Sequence, residues 1–403
     1  MTIVAGDWGR RVEITTATTV STLSGYVALI TEDNLPSEIW TLAINGGGDL
    51  RVCENSDGTS QLPLEVVSFV TGTNTAQIWT RFGSFATGQS LWLFYDKAGE
   101  TQPAVGAAFG RNAVWADYES VWHLESNSAT AVDSAGNNNL SRSGGALSTG
   151  QMGNGNTIFN NSDIDVSSDL SSTNMTISGW FKTPSSSADL PIITMANSSS
   201  SNVYIGLFAS ANEGSDPVRM VKRTGSFIAA ATPQFSFDVW NYAVGTVNSS
   251  GNIAAFLNGG GKGTNTNTTA LSGLNNTSIG KLDRDGAFRA TDATLDEIRI
   301  KYSVSSDSYI STEYDNQNAP ASFWTTGTPE NTGSSGTTAS ITEVSQPFTD
   351  AITSSVIGSL TASITELSQP FTDSIVATLT GDLSAAITEV SQPFTDTITA
   401  TVI

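Results

Sequence analysis

The sequence predicts an all-β protein with two β-sandwich (jelly-roll-like) domains followed by a β-rich repeat stalk. Short runs with alternating apolar residues, such as VEITTATTV, SLWLFYD and MTISGWF, recur through the first 300 residues. Gly, Asn, Asp and Ser turn signals separate these runs at the spacing typical of sandwiches and barrels. No long segment has the 3.6-residue period of an amphipathic helix. We expect one sandwich at 1–100 and a second at 101–325.

The charge of the 403-residue chain excludes several partners. It has 17 Lys+Arg against 38 Asp+Glu, a net charge of −21. A field of this sign repels nucleic acid phosphates and anionic lipid headgroups. No apolar stretch approaches the roughly 20 residues of a membrane span. We therefore expect no nucleic acid partner and no membrane insertion.

The chain has one histidine, His123, and one cysteine, Cys53. A Cys/His zinc site of the usual kind and an intramolecular disulfide are thereby excluded. A thiol nucleophile would have to be Cys53 with His123 as its base. Cys53 lies in a predicted strand, which favours a buried, apolar role. His123 has no evident acidic partner in the sequence, so we interpret it as a packed histidine.

Acidic residues concentrate towards the C-terminus. Lys301 is the last basic residue, and the 102 residues after it contain 11 acidic ones. The net charge is therefore 17 − 27 = −10 up to Lys301 and −11 beyond it. A Gly/Ser/Thr/Pro-rich stretch within this part indicates a linker, which we place at 326–338.

Residues 339–403 contain three 23-residue repeats, the last of them incomplete. ITEVSQPFTD at Ile341, ITELSQPFTD at Ile364 and ITEVSQPFTD at Ile387 begin 23 residues apart. The proline in each copy and the β-branched flanks favour strands over helix. We predict one β-hairpin per repeat, with strands near 337–344 and 350–357. A short coiled-coil-like stalk and a loosely ordered acidic tail remain alternatives.

Such hairpins bury little on their own, and they lack the lysines that usually protect sheet edges. The repeats are therefore predicted to pair with neighbours and to make the protein a homo-oligomer.

Two segments resemble known families. Trp8-Gly-Arg-Arg11 with the following VEITTATTVSTLSGYVALIT, and later AQIWTRFGSFATGQSLWLFYDKAG, resemble a bacterial and phage β-sandwich family of unknown function, over about 5–100. VWHL at Val121, MTISGWFKT at Met175 and ATLDEIRIKYS at Ala293 resemble a laminin-G-like, concanavalin A-like lectin domain, over about 118–325.

The second resemblance implies a calcium site. Proteins of this kind often hold Ca²⁺ with an aspartate of a DSxGN loop and an aspartate of the LDEIRI strand. The matching residues are Asp133, with Asn137 in the same loop, and Asp296. Ca²⁺ takes six to eight oxygen ligands, so backbone carbonyls and water would complete the set. The alternative is that Asp133 and Asn137 shape a turn and Asp296 caps a strand end.

The resemblance also covers glycanases, but catalytic residues are not evident. Relatives similar to laminarinases carry an E-x-D-x-x-E run, which this sequence lacks. Asp296 and Glu297 are consecutive in a predicted strand and should point to opposite faces. Glycoside hydrolysis needs two carboxyl groups roughly 5–10 Å apart. We therefore predict no enzymatic activity and no catalytic residue.

These features together suggest an attachment protein. The start, MTIVAGDWGR, lacks the pattern of a secretory signal peptide, whereas the Thr/Ser-rich composition is typical of extracellular or fibre proteins. A bacteriophage virion protein reconciles the two. We predict a tail, fibre or capsid-decorating protein that contacts other virion proteins and displays a lectin-like domain to host surface glycans. A bacterial cell-surface adhesin or filament subunit is the alternative, and a glycan hydrolase is a weaker one.

Overall fold

The computed structural model describes residues 3–136, 138–158, 163–184, 189–211, 215–286, 288–289 and 293–332, together with six strands further on. Strands dominate the described residues, and they are arranged in several mainly antiparallel sheets. The predicted all-β fold class is confirmed.

The N-terminal sandwich has two sheets around one apolar core. Its strands are β1 (Arg10–Thr16), β2 (Leu23–Thr31), β3 (Arg51–Cys53), β4 (Gln61–Leu62), β5 (Leu64–Val70), β6 (Thr75–Phe85) and β7 (Ser90–Tyr95). One sheet has the order β1-β7-β3-β4 and the other the order β2-β6-β5. Inward residues of both sheets, among them Val12, Ile14, Tyr26 and Phe82, share one buried cluster, as the alternation in β1 predicts.

The second sandwich is larger. Its strands are β8 (Ser120–Trp122), β9 (Thr130–Ala131), β10 (Leu140–Ser143), β11 (Ala146–Thr149), β12 (Asn154–Ile158), β13 (Asp163–Val166), β14 (Met175–Lys182), β15 (Asp189–Ala196), β16 (Val203–Ser210), β17 (Pro217–Thr224), β18 (Ser226–Gln234), β19 (Asn241–Val247), β20 (Ile253–Leu257), β21 (Gly260–Asn265), β22 (Asn276–Ile279), β23 (Lys281–Leu282), β24 (Phe288–Arg289) and β25 (Ala293–Lys301). Among the described strands one sheet has the order β18-β17-β16-β15-β22-β13-β10-β9, and the facing sheet the order β11-β12-β25-β14-β19-β20-β21, with β8 also on β25.

Alternate side chains of β16 show which face of its sheet borders the core and which face is the outer one. Ile205 and Leu207 belong to the core between the sheets. Tyr204 and Phe208 belong to a separate, smaller cluster with Leu282. Since successive side chains of a strand point to opposite faces, Tyr204 and Phe208 lie on the outer face of the sandwich.

The chain returns to the first sandwich after completing the second. Two further strands, β26 (Trp324–Thr326) and β27 (Glu330–Asn331), pair antiparallel with β1. The buried indole of Trp324 donates to the backbone oxygen of Leu29, 2.8 Å away. The predicted linker at 326–338 is therefore wrong in its first part. Threonine suits a strand as well as a linker, and the open edge of β1 supplies the partner.

In the described part of the chain, these strands are connected by helices α1 (Ile39–Leu42), α2 (Arg111–Val114), α3 (Asp307–Asn318) and α4 (Pro320–Phe323), and Ala5–Asp7 and Glu32–Asn34 are single 3₁₀ turns. Helix α3 begins after Ser306, whose hydroxyl accepts from the Tyr309 N–H, and ends before Pro320. Asn316 on α3 bonds both backbone groups of Leu29. This helix thus joins the two sandwiches. No helix among the described residues is long and apolar enough to span a membrane.

The repeats form parallel sheets, which contradicts the predicted hairpins. The strands are β28 (Thr337–Glu343), β29 (Ala351–Ile357), β30 (Leu360–Glu366), β31 (Ser374–Thr380), β32 (Leu383–Thr388) and β33 (Thr397–Val402). They pair as β28-β30-β32 and β29-β31-β33, and Ile341 lies opposite Ile364. Each strand therefore pairs with its own copy in an adjacent repeat, 23 residues away. A strict repeat allows this, because every copy adds one strand to both sheets.

Candidate functional site

Asp133 supports the loop in which the calcium prediction places it. Its carboxylate is buried and accepts backbone N–H groups of Val121 (2.7 Å), Ala135 (2.9 Å) and Asn138 (2.9 Å). Asn137 lies outside the described residues. These contacts give Asp133 the turn-shaping role that was the alternative in the sequence.

Asp296 makes a similar set of contacts elsewhere. Its Oδ2 accepts the N–H groups of Gln151 (2.9 Å) and Met152 (3.0 Å), and burial raises the pKa of its carboxyl well above the usual value. Among the described residues, no three His, Cys, Asp or Glu side chains are grouped as a metal site requires. Calcium binding by Asp133, Asn137 and Asp296 stays a prediction, and both aspartates described already bond to backbone N–H groups.

A β-bulge separates Asp296 from Glu297. The register of β25 against β14 shifts at this point, and Glu297 has a φ of 51°, in the left-handed region. Leu295 and Ile298 consequently share the core between the sheets, which strict alternation would not allow. Glu297 instead points to the interface with the N-terminal sandwich, where its Oε1 lies 2.6 Å from Nδ1 of His123.

His123 has two acidic partners, so the prediction of a histidine without one is wrong. Its Nε2 lies 3.2 Å from Oε2 of Glu65, which belongs to β5 of the other sandwich. Burial alone would lower the pKa of His123, but Glu297 and Glu65 outweigh it and raise the pKa to about 10. His123 is therefore a buried cation between two carboxylates.

The network around His123 extends through Glu297. Burial opposes ionisation of Glu297, but His123 and Arg299 outweigh it and lower its pKa to about 2. Arg299 Nη2 lies 2.7 Å from Glu297 Oε2, and its Nη1 lies 2.7 Å from Glu313 Oε1 on α3. The Arg299 guanidinium also lies 4.4 Å from the ring centroid of Trp79. Both sandwiches and α3 thus share one buried ionic network.

An interdomain cleft of about 330 Å³ opens above this network. Its floor is formed by Glu65, His123 and Ser134, and its wall includes Glu125. Burial raises the pKa of Glu125 to about 7. Glu65 is engaged by His123, Ser134 and the Trp115 indole. The Glu65 carboxylate therefore already has partners. Glu125 accepts the Asn154 N–H, 2.9 Å away, and its raised pKa allows it to exchange a proton near neutral pH.

Cys53 does not take part in this ionic network. It is fully buried in a cluster with Trp8 and Phe94 in the N-terminal sandwich. Burial raises its pKa to about 12, so the thiolate needed for nucleophilic attack is scarce at neutral pH. Both nitrogens of His123 contact carboxylates. The structure brings no thiol–imidazole pair together here, and the apolar role of Cys53 is confirmed.

Tryptophans contribute both to the interface and to the core of the second sandwich. Trp115 packs in a cluster shared by both sandwiches, and Trp180 is fully buried in the same cluster. Trp122 belongs to the core of the second sandwich.

A second concave site, which we call the sheet-face pocket, lies on the outer face of β15–β18. Its volume is about 140 Å³, and its principal lining residues are Asp189, Tyr204, Phe208, Arg219, Phe227 and Arg284. Phe227 is 54% exposed, whereas Tyr204 and Phe208 are buried below it. The Arg284 guanidinium lies 5.3 Å from the Tyr204 ring centroid. Burial raises the pKa of Asp189.

The sheet-face pocket combines aromatic faces with donors and an acceptor. Guanidinium groups donate several hydrogen bonds in one plane, and a carboxylate accepts them. An exposed ring such as Phe227 offers an apolar surface for stacking. One sequence pattern indicates part of this site: the alternation in VYIGLF places Tyr204 and Phe208 on one face of a strand. The other lining residues cannot be assigned to that face without the sheet order β16-β17-β18.

Comparisons with known proteins match part of the chain. No curated protein matches the chain. Domain 4 of the extracellular arabinanase AbnA of Geobacillus stearothermophilus, solved with arabinotriose, is 18% identical with a TM-score of 0.42, covering 48% of this chain and 97% of that one. The CBM40 domain of the Ruminococcus gnavus IT-sialidase, bound to α2,3-sialyllactose, is 16% identical with a TM-score of 0.34, covering 43% of this chain and 97% of that one.

A third similar structure is the Trypanosoma rangeli sialidase, with 13% identity and a TM-score of 0.41, covering 55% of this chain but only 35% of the sialidase. The family profile described as the Concanavalin A-like lectin/glucanases superfamily, laminin-G type, matches residues 154–311. The second sandwich of this chain is therefore a concanavalin A-like lectin/glucanase domain, as its sequence resemblance predicted.

Proposed function

We propose that this protein binds carbohydrate without cleaving it, through the sheet-face pocket of the second sandwich. The observation that carries the proposal is the grouping of Phe227, Arg284 and Asp189 around one pocket on the outer face of the sheet. Sugars present apolar C–H faces and ring hydroxyls, which this set can satisfy by stacking and hydrogen bonding. The lectin/glucanase superfamily of the domain supports this assignment.

The test is glycan binding by a Phe227→Ala variant. Because the side chain is 54% exposed, its removal should leave folding unchanged and weaken binding about fivefold to tenfold, as the loss of one aromatic contact of about 1 kcal/mol predicts. Tyr302→Ala, which removes another exposed aromatic of the same sandwich (42% exposed), is the matched control. A glycan array identifies the ligand, and equal affinity of the two variants would reject this pocket.

For the whole chain we propose attachment to host surface glycans as part of a bacteriophage virion, in a tail, fibre or capsid-decorating position. The Thr/Ser-rich composition and the repeats with parallel, self-pairing strands support a fibre-like role. We further propose that the repeats hold copies of the chain together as a homo-oligomer. Mass spectrometry of purified virions tests the location, and absence of the protein would favour the bacterial adhesin or filament subunit.

A glycan hydrolase is the weaker alternative, and one observation favours it. Glu125, with its pKa near 7, lines the interdomain cleft and has the protonation behaviour of a general acid. Against it, both oxygens of Glu65 on the cleft floor already accept hydrogen bonds. Release of reducing sugar that disappears in Glu125→Gln would establish the hydrolase.

A further inference from the structure

Lys222 of β17 is a lysine whose side chain is directed into a sandwich. Met220, two residues earlier on the same strand, belongs to the core between the sheets, and alternation places Lys222 on that same inner face. Lys222 is only 1% exposed. Its stem runs towards one end of the sandwich, where Nζ donates to the backbone oxygens of Gly251 (2.6 Å) and Asn267 (2.9 Å).

The Lys222 ammonium has no carboxylate partner among the described residues. Its two hydrogen bonds are to neutral carbonyl groups, although an ammonium carries three N–H donors. Burial lowers its pKa, with no opposing acidic group. Buried charges are normally paired, because removing an ion from water costs several kcal/mol. One N–H donor of Lys222 therefore has no acceptor, and its positive charge has no negative partner, among the described residues around it.

The ammonium lines a cavity of about 210 Å³, which we call the end pocket. Three loops surround it, and they are rich in hydroxyl groups: Ser171, Ser172, Thr173, Thr268 and Thr269 contribute to the lining. Hydroxyls donate to anionic oxygens as readily as they accept. The cavity is large enough for several water molecules or for one oxyanion.

Gly251 keeps the approach to the ammonium open. Its φ is 80°, in the region that favours glycine, and a Cβ added there would lie 3.2 Å from Lys222 Nζ. A side chain at this position would crowd the charged group.

We propose that the end pocket binds an oxyanion, the carboxylate or sulfate group of an acidic saccharide or the corresponding free anion, with Lys222 as its counter-charge. The pocket is distinct from the sheet-face pocket, so the proposal does not depend on the function of that site. The net charge of −21 repels anions at long range. Recognition here would therefore rest on the local ammonium and hydroxyl donors, and it would weaken as salt screens the attraction.

Calorimetric titration with sodium sulfate, sodium glucuronate and neutral glucose, at constant ionic strength, tests the proposal. Sulfate and glucuronate should bind and raise the melting temperature, whereas glucose should do neither. If glucuronate binds more tightly, the natural ligand is an acidic saccharide; if only sulfate binds, it is the inorganic anion. If neither anion binds, the proposal is overturned and Lys222 only clamps the two loops.

Lys222→Met removes the charge and keeps an apolar stem. It should weaken anion affinity about tenfold or more, as expected for a charge-assisted hydrogen bond. Lys262→Met is the matched control, because Lys262 belongs to the same sandwich but pairs with Asp307 at the surface. Equal losses in both variants would overturn the assignment to this pocket.

A second variant covers the case in which Lys222→Met fails to fold. Thr268→Val removes one exposed hydroxyl of the end pocket and preserves the shape of the side chain. It should retain the melting temperature without ligand and bind sulfate about threefold more weakly, roughly the effect of one neutral hydrogen bond. Unchanged sulfate affinity in this variant would also contradict the proposed site.

Discussion

His123 contacts carboxylates from two different sandwiches, and its protonation therefore affects how the sandwiches are held together. Its ordinary pKa of 6.5 rises to about 10 in the folded chain. Because the pKa of this base is higher in the folded than in the unfolded chain, protonation of His123 stabilises the folded state. The full stabilisation is present below pH 6.5, and it is lost as the pH rises through 10. His123 should consequently make the protein less stable in alkaline solution.

Urea unfolding of the wild type and of His123→Gln between pH 6 and 10 measures this contribution. The difference in unfolding free energy should shrink with rising pH, by at most about 1.4 kcal/mol per pH unit. Glu125 also titrates in this range, with a pKa of about 7, but it is present in both proteins and largely cancels. A difference that is independent of pH would show that His123 is neutral when buried.

Asp133 allows its structural role to be separated from the predicted calcium role. Asp133→Ala leaves the N–H groups of Val121, Ala135 and Asn138 without their acceptor, at a cost of about 3 kcal/mol or more. The loss in unfolding free energy should be the same with calcium and with chelator. Asp133→Asn, which keeps one acceptor oxygen, should lose less. A loss that occurs only with calcium would establish the metal site.

These residues show what the sequence could and could not predict. The sequence singles out Asp133, Asp296 and His123, but it does not indicate the partners of Asp296 and His123, because those partners lie far away in the chain. His123 meets Glu65 and Glu297 at sequence separations of 58 and 174 residues. No local pattern encodes such pairs. The sequence also does not predict the bulge at Glu297, because LDEIRI is equally compatible with an uninterrupted strand.

At the scale of elements, alternation predicted the strands of both sandwiches, and the errors concern how strands pair. The return of β26 to β1 joins segments about 310 residues apart, Ile14 with Thr326. The sequence does not predict helix α3, because its buried face carries polar residues such as Glu313 and Asn316 and therefore lacks an apolar stripe. Pairing between distant segments supplies hydrogen-bond partners for strand edges and buried polar groups, and a local sequence pattern does not identify those partners.

The parallel register of the repeats predicts which positions are close. Ser340 lies opposite Ser363 on the neighbouring strand, whereas Ser354 belongs to the other sheet. Spin labels on cysteines at 340 and 363 should therefore show strong dipolar broadening, since neighbouring strands are about 4.8 Å apart. Labels at 340 and 354 form the control pair. Cys53 is fully buried and should not be labelled. Stronger broadening in the control pair would support hairpins instead.

At the scale of the molecule, the acidic charge is divided between two kinds of structure. Residues up to Lys301 carry a net charge of −10 and form many ion pairs. The residues after Lys301 carry a net charge of −11 and include no basic residue. In the repeats the parallel register sets Glu343 opposite Glu366. Like charges on directly opposite positions destabilise a sheet. From this register and the net charge we expect low salt to weaken the pairing of the repeats more than it weakens the sandwiches.

The two sandwiches should unfold together, because their interface contains a buried ionic network. Calorimetry of the wild type should show one cooperative transition for them. Glu65→Ala removes the acceptor of His123 and of Ser134 and leaves His123 with one carboxylate. Breaking a buried pair costs about 3–5 kcal/mol, so this variant should melt lower, and its transition should split into two. Glu100→Gln, which alters a partly exposed ion pair with Arg51 within one sandwich, should keep a single transition. Two separate transitions in the wild type would show that the network does not couple the sandwiches.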